Sequence, residues 1–174
     1  MNKSPLTKKE IINFFNKQKK LIFSSEIIDL RYSKGRILAE DLKSQINIPP
    51  FNNSAVDGYA LLKKDLDLKK IFTCTRRVAA GDNKKIIIRS GEAVRVFTGA
   101  KMPSNSSTIV MQENVIVEGK NIRLIKTPIF GENHRLKGED IKKNKKILIK
   151  GTKINQQNLN LIAAAGIRRI KVYK

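Results

Sequence analysis

The chain has 174 residues, 40% of them hydrophobic, 29% charged and 6% aromatic, with no Trp and a net charge of +21. Such a length suits one large domain or two small ones with modest cores. Scarce aromatics, and basic charge carried by Lys more than Arg, argue against base stacking or base reading as its work, so nucleic acid is an unlikely partner. One cysteine, Cys74, excludes an internal disulfide and any all-Cys metal site, and one histidine, His134, excludes a paired-histidine site. The longest uncharged apolar run, Leu159 to Ile167, falls short of the roughly 20 residues that a membrane helix needs, so no membrane association is expected. Met1 to Pro5 does not open a signal peptide, because Lys8, Lys9 and Glu10 break the apolar residues that follow; a cytoplasmic location is expected.

In chain order, Thr7 to Lys20 predicts a surface helix with Ile11, Ile12, Phe14 and Phe15 on one side, and with Thr7 and Glu10 as a capping box. Ser25 to Leu30 alternates like a strand. Gly35 turns the chain into a short helical segment built on Ile37, Leu38 and Leu42. From Asp57 to about Val117 the pattern becomes short β-like runs separated by Gly, Pro, Asn and Ser: Tyr59 to Leu62, Lys85 to Ile88, Ala93 to Phe97, and Thr108 to Met111. Asn121 to Ile125 predicts a further strand. After a turn at Lys143-Asn144 come a strand from Lys146 to Ile149 and a helix from Gln156 to Ala165, capped by Asn155 and stopped by Gly166; a strand from Arg168 to Tyr173 follows. Helix-bearing ends around a β-rich middle predict an α/β plus β fold. In it residues 1–47 and 138–174 form a discontinuous mixed α/β domain, and residues 48–137 form an inserted small β-barrel-like domain.

Two loops stand out as candidate sites. In Ile48 to Ala60, Pro49 and Pro50 fix the backbone, Asn52, Asn53 and Ser54 favour turns, and Asp57 is the only carboxylate between Asp41 and Asp65. Gly58 beside it lets another backbone or a ligand approach closely. On residues alone, a proline-stiffened turn and a functional loop remain alternatives. In Ser90 to Pro103, Thr98 stands where a strand stops and Gly99 frees the backbone. Such a hydroxyl beside an exposed amide could hold an oxyanion or phosphate, although on residues alone a turn-forming Thr is the preferred reading. A third cluster, Asn133 to Asp140, packs bases and acids around Gly138 as an anion contact or an ion-pair hinge; His134 reads as a solvated loop histidine. Cys74 reads as a half-buried thiol without chemistry. The Lys pairs spread along the chain read as a compositional bias and a favourable field for a small anionic substrate. No Gly-x-x-x-x-Gly-Lys-Ser/Thr loop and no Gly-x-Gly-x-x-Gly is present.

Pro50-Phe51-Asn52-Asn53-Ser54-Ala55-Val56-Asp57-Gly58-Tyr59-Ala60, the Ala80-Gly81 turn, and Gly91 to Ala100 with Pro103 occur in this order. They are followed by Val110-Met111-Gln112-Glu113, Arg135 with Gly138-Glu139-Asp140-Ile141, and Gly151-Thr152. Together they resemble the molybdopterin molybdenumtransferase family, which includes the gephyrin E domain. The resemblance extends from about Gly35 to the C-terminus.

The resemblance implies insertion of molybdate into the dithiolene of adenylylated molybdopterin, with release of AMP and with magnesium bound mainly outside this chain. It implies an elongated homodimer that works with other molybdenum cofactor assembly proteins. It carries Asp57 over as a catalytic or metal-orienting carboxylate and Thr98 as its catalytic partner in contact with substrate. Asn53, Ser54, Gly58 and Gly99 would shape that wall, and Arg135, Glu139 and Asp140 would bind substrate near the return to the first domain. Asn52 stands where the family usually has Asp, and Val56 where it usually has Met. The sequence given stops at Lys174, where family members continue into a nucleotide-fold domain and a small β domain. An N-terminal enzyme region, incomplete and inactive alone, is therefore expected. The alternative is a non-catalytic dimerisation and docking scaffold of the same fold.

Overall fold

The computed structural model describes residues 5–17, 23–67 and 70–174. Helix α1 spans Lys8–Lys17. Its expected extension through Lys20 lies outside the described residues. The capping box is present: Glu10 N–H donates to Thr7 Oγ1 at 3.3 Å, and Thr7 N–H donates to Glu10 Oε2 at 2.8 Å. Its apolar side meets no core, however, and Ile11, Ile12, Phe14 and Phe15 are all exposed.

Strand β1 spans Ser25–Asp29 and ends in a 3-10 turn, Leu30–Tyr32, capped by the Asp29 carboxylate. The helix expected around Ile37, Leu38 and Leu42 does not form. Gly35, at φ +83°, turns the chain instead into bridges that pair Ile37 with Lys153 and Leu38 with Val172. Leu38 gains full burial by this pairing, and tertiary contact overrides a weak helical preference. Leu42 lies in β2, Leu42–Lys43.

The middle of the chain supplies β3 (Asn53–Ser54), β4 (Gly58–Leu61), β5 (Ile71–Val78), β6 (Glu92–Val96), β7 (Thr108–Met111), β8 (Val115–Glu118), β9 (Asn121–Leu124) and β10 (His134–Arg135). Six of these form one sheet in the order β7-β4-β6-β5-β9-β8. Its two edge strands are consecutive in the chain and are joined by a 3-10 turn of three residues, Gln112–Asn114. Six strands laid flat would separate those edges by roughly 24 Å at about 4.8 Å per neighbour, so the sheet must curl toward closure at that end. Every residue of β4 is buried, because Tyr59 and Leu61 enter one apolar cluster with Phe72 and Ile122, while Ala60 enters another with Val94, Val96 and Ile109. That is why β4 reads as a continuous rather than an alternating apolar run.

Two expectations for this region need correction. Lys85 to Ile88 forms no strand and joins no ladder; the Asn105 side chain takes a partner strand's place, accepting Ile88 N–H at 2.9 Å and donating to Ile88 O at 2.7 Å. His134 is not a solvated loop residue: it lies in β10 opposite Ser54, with Nε2 buried. The longest strand, β5, escaped sequence reading because Thr73, Thr75, Arg76 and Arg77 interrupt its apolar signal.

The chain completes with β11 (Lys146–Leu148), α2 (Gln156–Ala164) and β12 (Arg169–Tyr173). Asn155 caps α2 by accepting Asn158 N–H at 2.8 Å, and Gly166, at φ +80°, follows its end. Pairings β1 with β12 and β2 with β11 bring the two ends of the chain together. There Leu38 and Leu42 share a core with Ile154, Ile162, Ile170 and Val172. Between this core and the six-stranded sheet, the outgoing and returning segments run side by side: Ile48 N–H donates to Ile141 O at 2.8 Å, and Gly138 N–H to Pro49 O at 2.9 Å.

Candidate active site

The Asp57 and Thr98 loops converge because β3 pairs with the turn after β6. Ser54 N–H donates to Ala100 O at 3.0 Å, and Gly99 N–H donates to Ser54 O at 2.9 Å. Gly99 adopts φ +78°, a conformation costly for a side chain, and the Ala80-Gly81 turn lies against it. Ser54 is buried, and its hydroxyl closes the turn to Val56 by donating to Val56 O and accepting Val56 N–H. It is thus spent on loop shape.

Asp57 projects from this turn, and Thr98 supplies two donors to one oxygen: its N–H and its Oγ1 each lie 2.8 Å from Asp57 Oδ1. Chiefly the Thr98 N–H, then its hydroxyl and the nearby Arg95 charge, hold the Asp57 carboxyl below its ordinary 3.8. Asp57 is therefore an anion at neutral pH, able to attract a cation or accept a hydrogen bond but not to donate a proton. Thr98 donates its hydroxyl proton inward, leaving Oγ1 lone pairs for a ligand donor.

Gly58 serves a packing role in the adjoining strand. A Cβ placed there would lie 2.1 Å from Val110 O, so the close approach anticipated for Gly58 is that of β7.

Arg95 is the residue that sequence reading passed over. It lies opposite Tyr59 in the β4–β6 pairing, with its guanidinium carbon 4.8 Å from the Tyr59 ring centre and 5.2 Å from that of Phe97, and it donates to Gln112 Oε1. Aromatic faces and Gln112 fix a positive charge near Asp57. The available signal was the spacing of Arg95 and Phe97, two residues apart on one strand face, just before Thr98.

Arg135, Glu139 and Asp140 form a second group. Arg135 bonds Glu139 through Nε and Asp140 through Nη2, the latter at 2.7 Å. The Leu136 N–H, then Arg135, hold Glu139 below the usual carboxylate range, and Asp140 followed by Glu139 push Arg135 upward. Among the described residues no hydrogen bond joins this group to Asp57 or Thr98. Its link is β10, where Arg135 pairs with Asn53 of β3. Asn53 Oδ1 is buried without a partner, as is His134 Nε2 on the neighbouring position. Asn53 thus retains an unused acceptor between the two groups.

The described residues assemble no set of three His, Cys, Asp or Glu side chains that could hold a metal. Asp57 Oδ2 offers one oxygen, too few for a dedicated magnesium site of this chain's own. Burial pushes the Cys74 thiol up, away from reactivity. No helix among the described residues is long and apolar enough to cross a membrane.

Comparison with known proteins bears on this arrangement. The family model of the MoeA N-terminal region (domain I and II) matches residues 7–166. The molybdopterin molybdenumtransferase of Haemophilus influenzae is 36% identical over 151 residues, covering 86% of this chain and 37% of that protein. The one from a Nostoc species is 34% identical over 155 residues, covering 86% of this chain and 36% of that protein. Among solved structures, a molybdopterin biosynthesis MoeA protein of Pyrococcus horikoshii superposes with a TM-score of 0.83 at 31% identity, covering 88% of this chain and 41% of that one. The chain spans little more than a third of the length of those two curated relatives. The resemblance carried by the two loops is thereby borne out, and the chain belongs to the MoeA N-terminal region family.

Proposed function

We propose that this chain supplies one wall of a molybdopterin molybdenumtransferase site, where molybdate enters the dithiolene of adenylylated molybdopterin and AMP is released. The observation that carries this reading is the Asp57–Thr98 pair, held on two converging loops at the positions where the resemblance places catalytic residues. In this reading Asp57 acts as a fixed negative charge. Its low proton affinity suits it to orient a cation or a donor group brought with the substrates, and unsuits it to general-acid work. Thr98 Oγ1 receives a ligand donor, and Arg95 offsets the carboxylate so that anionic substrates can approach. Asn53 shapes the wall through the β3 pairing with Arg135 rather than through its buried Oδ1, and Arg135 with Glu139 and Asp140 orders the adjoining segment. A magnesium ion, if used, draws most of its ligands from substrate phosphates and from residues beyond these. The same reading takes residues 48–137 as a β unit inserted into an α/β unit of residues 1–47 and 138–174. It places the molecule in the cytoplasm as a homodimer, with the opposite wall of the site contributed by other protein segments.

A chimera tests this directly: residues 1–174 replace the region they match in the Haemophilus influenzae relative, and molybdate insertion with AMP release is measured. Activity in the chimera, lost at least about a hundredfold on Asp57→Asn with the fold intact by circular dichroism, supports the reading. An active chimera indifferent to Asp57→Asn and Thr98→Val would instead make this region the docking scaffold of the same fold.

A further inference from the structure

Gln112 stands at the corner where β7 passes into the 3-10 turn toward β8. Its N–H donates to Asp57 O at 3.1 Å, which extends the β4–β7 pairing one rung beyond Gly58 and Met111. Its side chain reaches the other way: Oε1 accepts from Arg95 Nη2, while Nε2 donates to Glu113 Oε1 at 3.0 Å. A carboxylate can only accept, so Glu113 fixes the donor end of the Gln112 amide and turns its carbonyl toward the guanidinium. Gln112 thus grips the Asp57 backbone with one group and the Arg95 side chain with another.

Strand register puts Asp57 within reach of the same guanidinium. Tyr59 lies opposite Arg95 in the β4–β6 pairing, and Asp57 precedes Tyr59 by two residues, which makes it the diagonal neighbour of Arg95. Diagonal neighbours stand about 7–8 Å apart, a gap that a long side chain spans. Both Thr98 bonds go to Asp57 Oδ1, so Oδ2 is left for a ligand or for Arg95. A guanidinium freed of other partners would take that oxygen, because a bond between two charged groups is stronger than one to a neutral amide. The Tyr59 and Phe97 rings attract Arg95 at 4.8 and 5.2 Å but bond no particular N–H, whereas Gln112 claims Nη2. We propose that Gln112 is a positioning residue of this site: by tethering Arg95 it keeps the guanidinium off Asp57 and leaves Oδ2 open to a ligand. The consequence for catalysis rests on the reading of Asp57 given above; the tether itself does not.

Crystal structures of the 174-residue chain and two variants test the tether. In Gln112→Leu, Arg95 should move to within hydrogen-bond distance of Asp57 Oδ2; in Gln112→Glu, which keeps an acceptor in place, it should stay with residue 112 as in the parent. Kinetics of the Haemophilus influenzae chimera test what the tether does. There kcat/KM should fall at least about tenfold in Gln112→Leu and less than about threefold in Gln112→Glu. In an Arg95→Met background, Gln112→Leu should cost less than about twofold more, since Gln112 acts through Arg95. Independent, multiplying losses would make Gln112 a structural residue of the turn and overturn the proposal, as would an Arg95 that stays clear of Asp57 in the Gln112→Leu crystal. A chimera inactive even with Gln112 present counts against the reading of the site, and the crystal structures still decide the tether.

Discussion

Asp57 owes its character to Thr98 more than to its own loop. Two donors converge on Oδ1, and the lowered proton affinity follows from them. Thr98→Val removes the hydroxyl and keeps the amide, so the Asp57 carboxyl should titrate closer to 3.8 when followed by carboxyl-carbon NMR. The linkage has a definite sign: a carboxyl depressed in the folded state contributes stability above 3.8, and that contribution fades as pH falls through the folded value. The urea midpoint of the parent should therefore drop more steeply below pH 4 than that of Thr98→Val, and parallel curves would remove Thr98 as the cause. Asp57 and Thr98 could be picked out in the sequence because each is isolated among turn formers. Arg95 left only its spacing from Phe97 as a local signal, since its neighbours Tyr59 and Gln112 are set by strand pairing rather than by chain proximity. Buried Asp65 was equally silent. It accepts Ser90 Oγ at 2.7 Å and Gly91 N–H at 2.9 Å across the fold, and nothing local marks it. Asp65→Ala should cost about 1–3 kcal/mol in chemical denaturation, because it strands two donors in a part-buried turn.

At the scale of elements, β4 carries the most constraint per residue. It pairs with β6 on one side and β7 on the other, buries both faces, and begins at Gly58 immediately after the catalytic candidate. Gly58→Ala would set a methyl group 2.1 Å from Val110 O and 2.9 Å from Ile109 Cγ2. Backbone cannot yield as a side chain end does, so β4 and β7 must part. The expected loss is at least about 1–3 kcal/mol, with faster amide exchange in β7 than in the core shared by α2 and β12. Unchanged exchange in β7 would show that the strand shifts elsewhere. Strands with strong apolar signal, such as β4, β6, β7 and β9, were legible in the sequence, whereas β5 was not. Its exposed side carries Thr and Arg, and its fit comes from parallel pairing with β6, a long-range property. Lys85 to Ile88 failed in the opposite direction. It has strand-like composition, yet Asn105 satisfies Ile88 and no neighbouring strand arrives. Around Leu38, local periodicity suggested a helix where the C-terminal strand supplies a β partner instead.

For the molecule as a whole, the decisive quantity is charge. The antiparallel crossing at Ile48 and Ile141 ties the end-built core to the sheet, and every part carries excess Lys. Ion pairs such as Arg135–Asp140 and Lys146–Asp41 are half-exposed, so each contributes little, and salt erodes it further. Self-repulsion at a net charge of +21 acts across the entire surface and is also screened by salt, with the opposite effect on stability. Between 0.01 and 0.15 M salt the screening length falls from about 30 to 8 Å, less than the span of a domain, while contact pairs at under 4 Å are barely reached. Repulsion should therefore be relieved first. The melting temperature should rise smoothly over that range in sodium chloride, by about 2–4 °C for each kcal/mol of repulsion removed. A fall in melting temperature would mean that the ion pairs outweigh the excess charge.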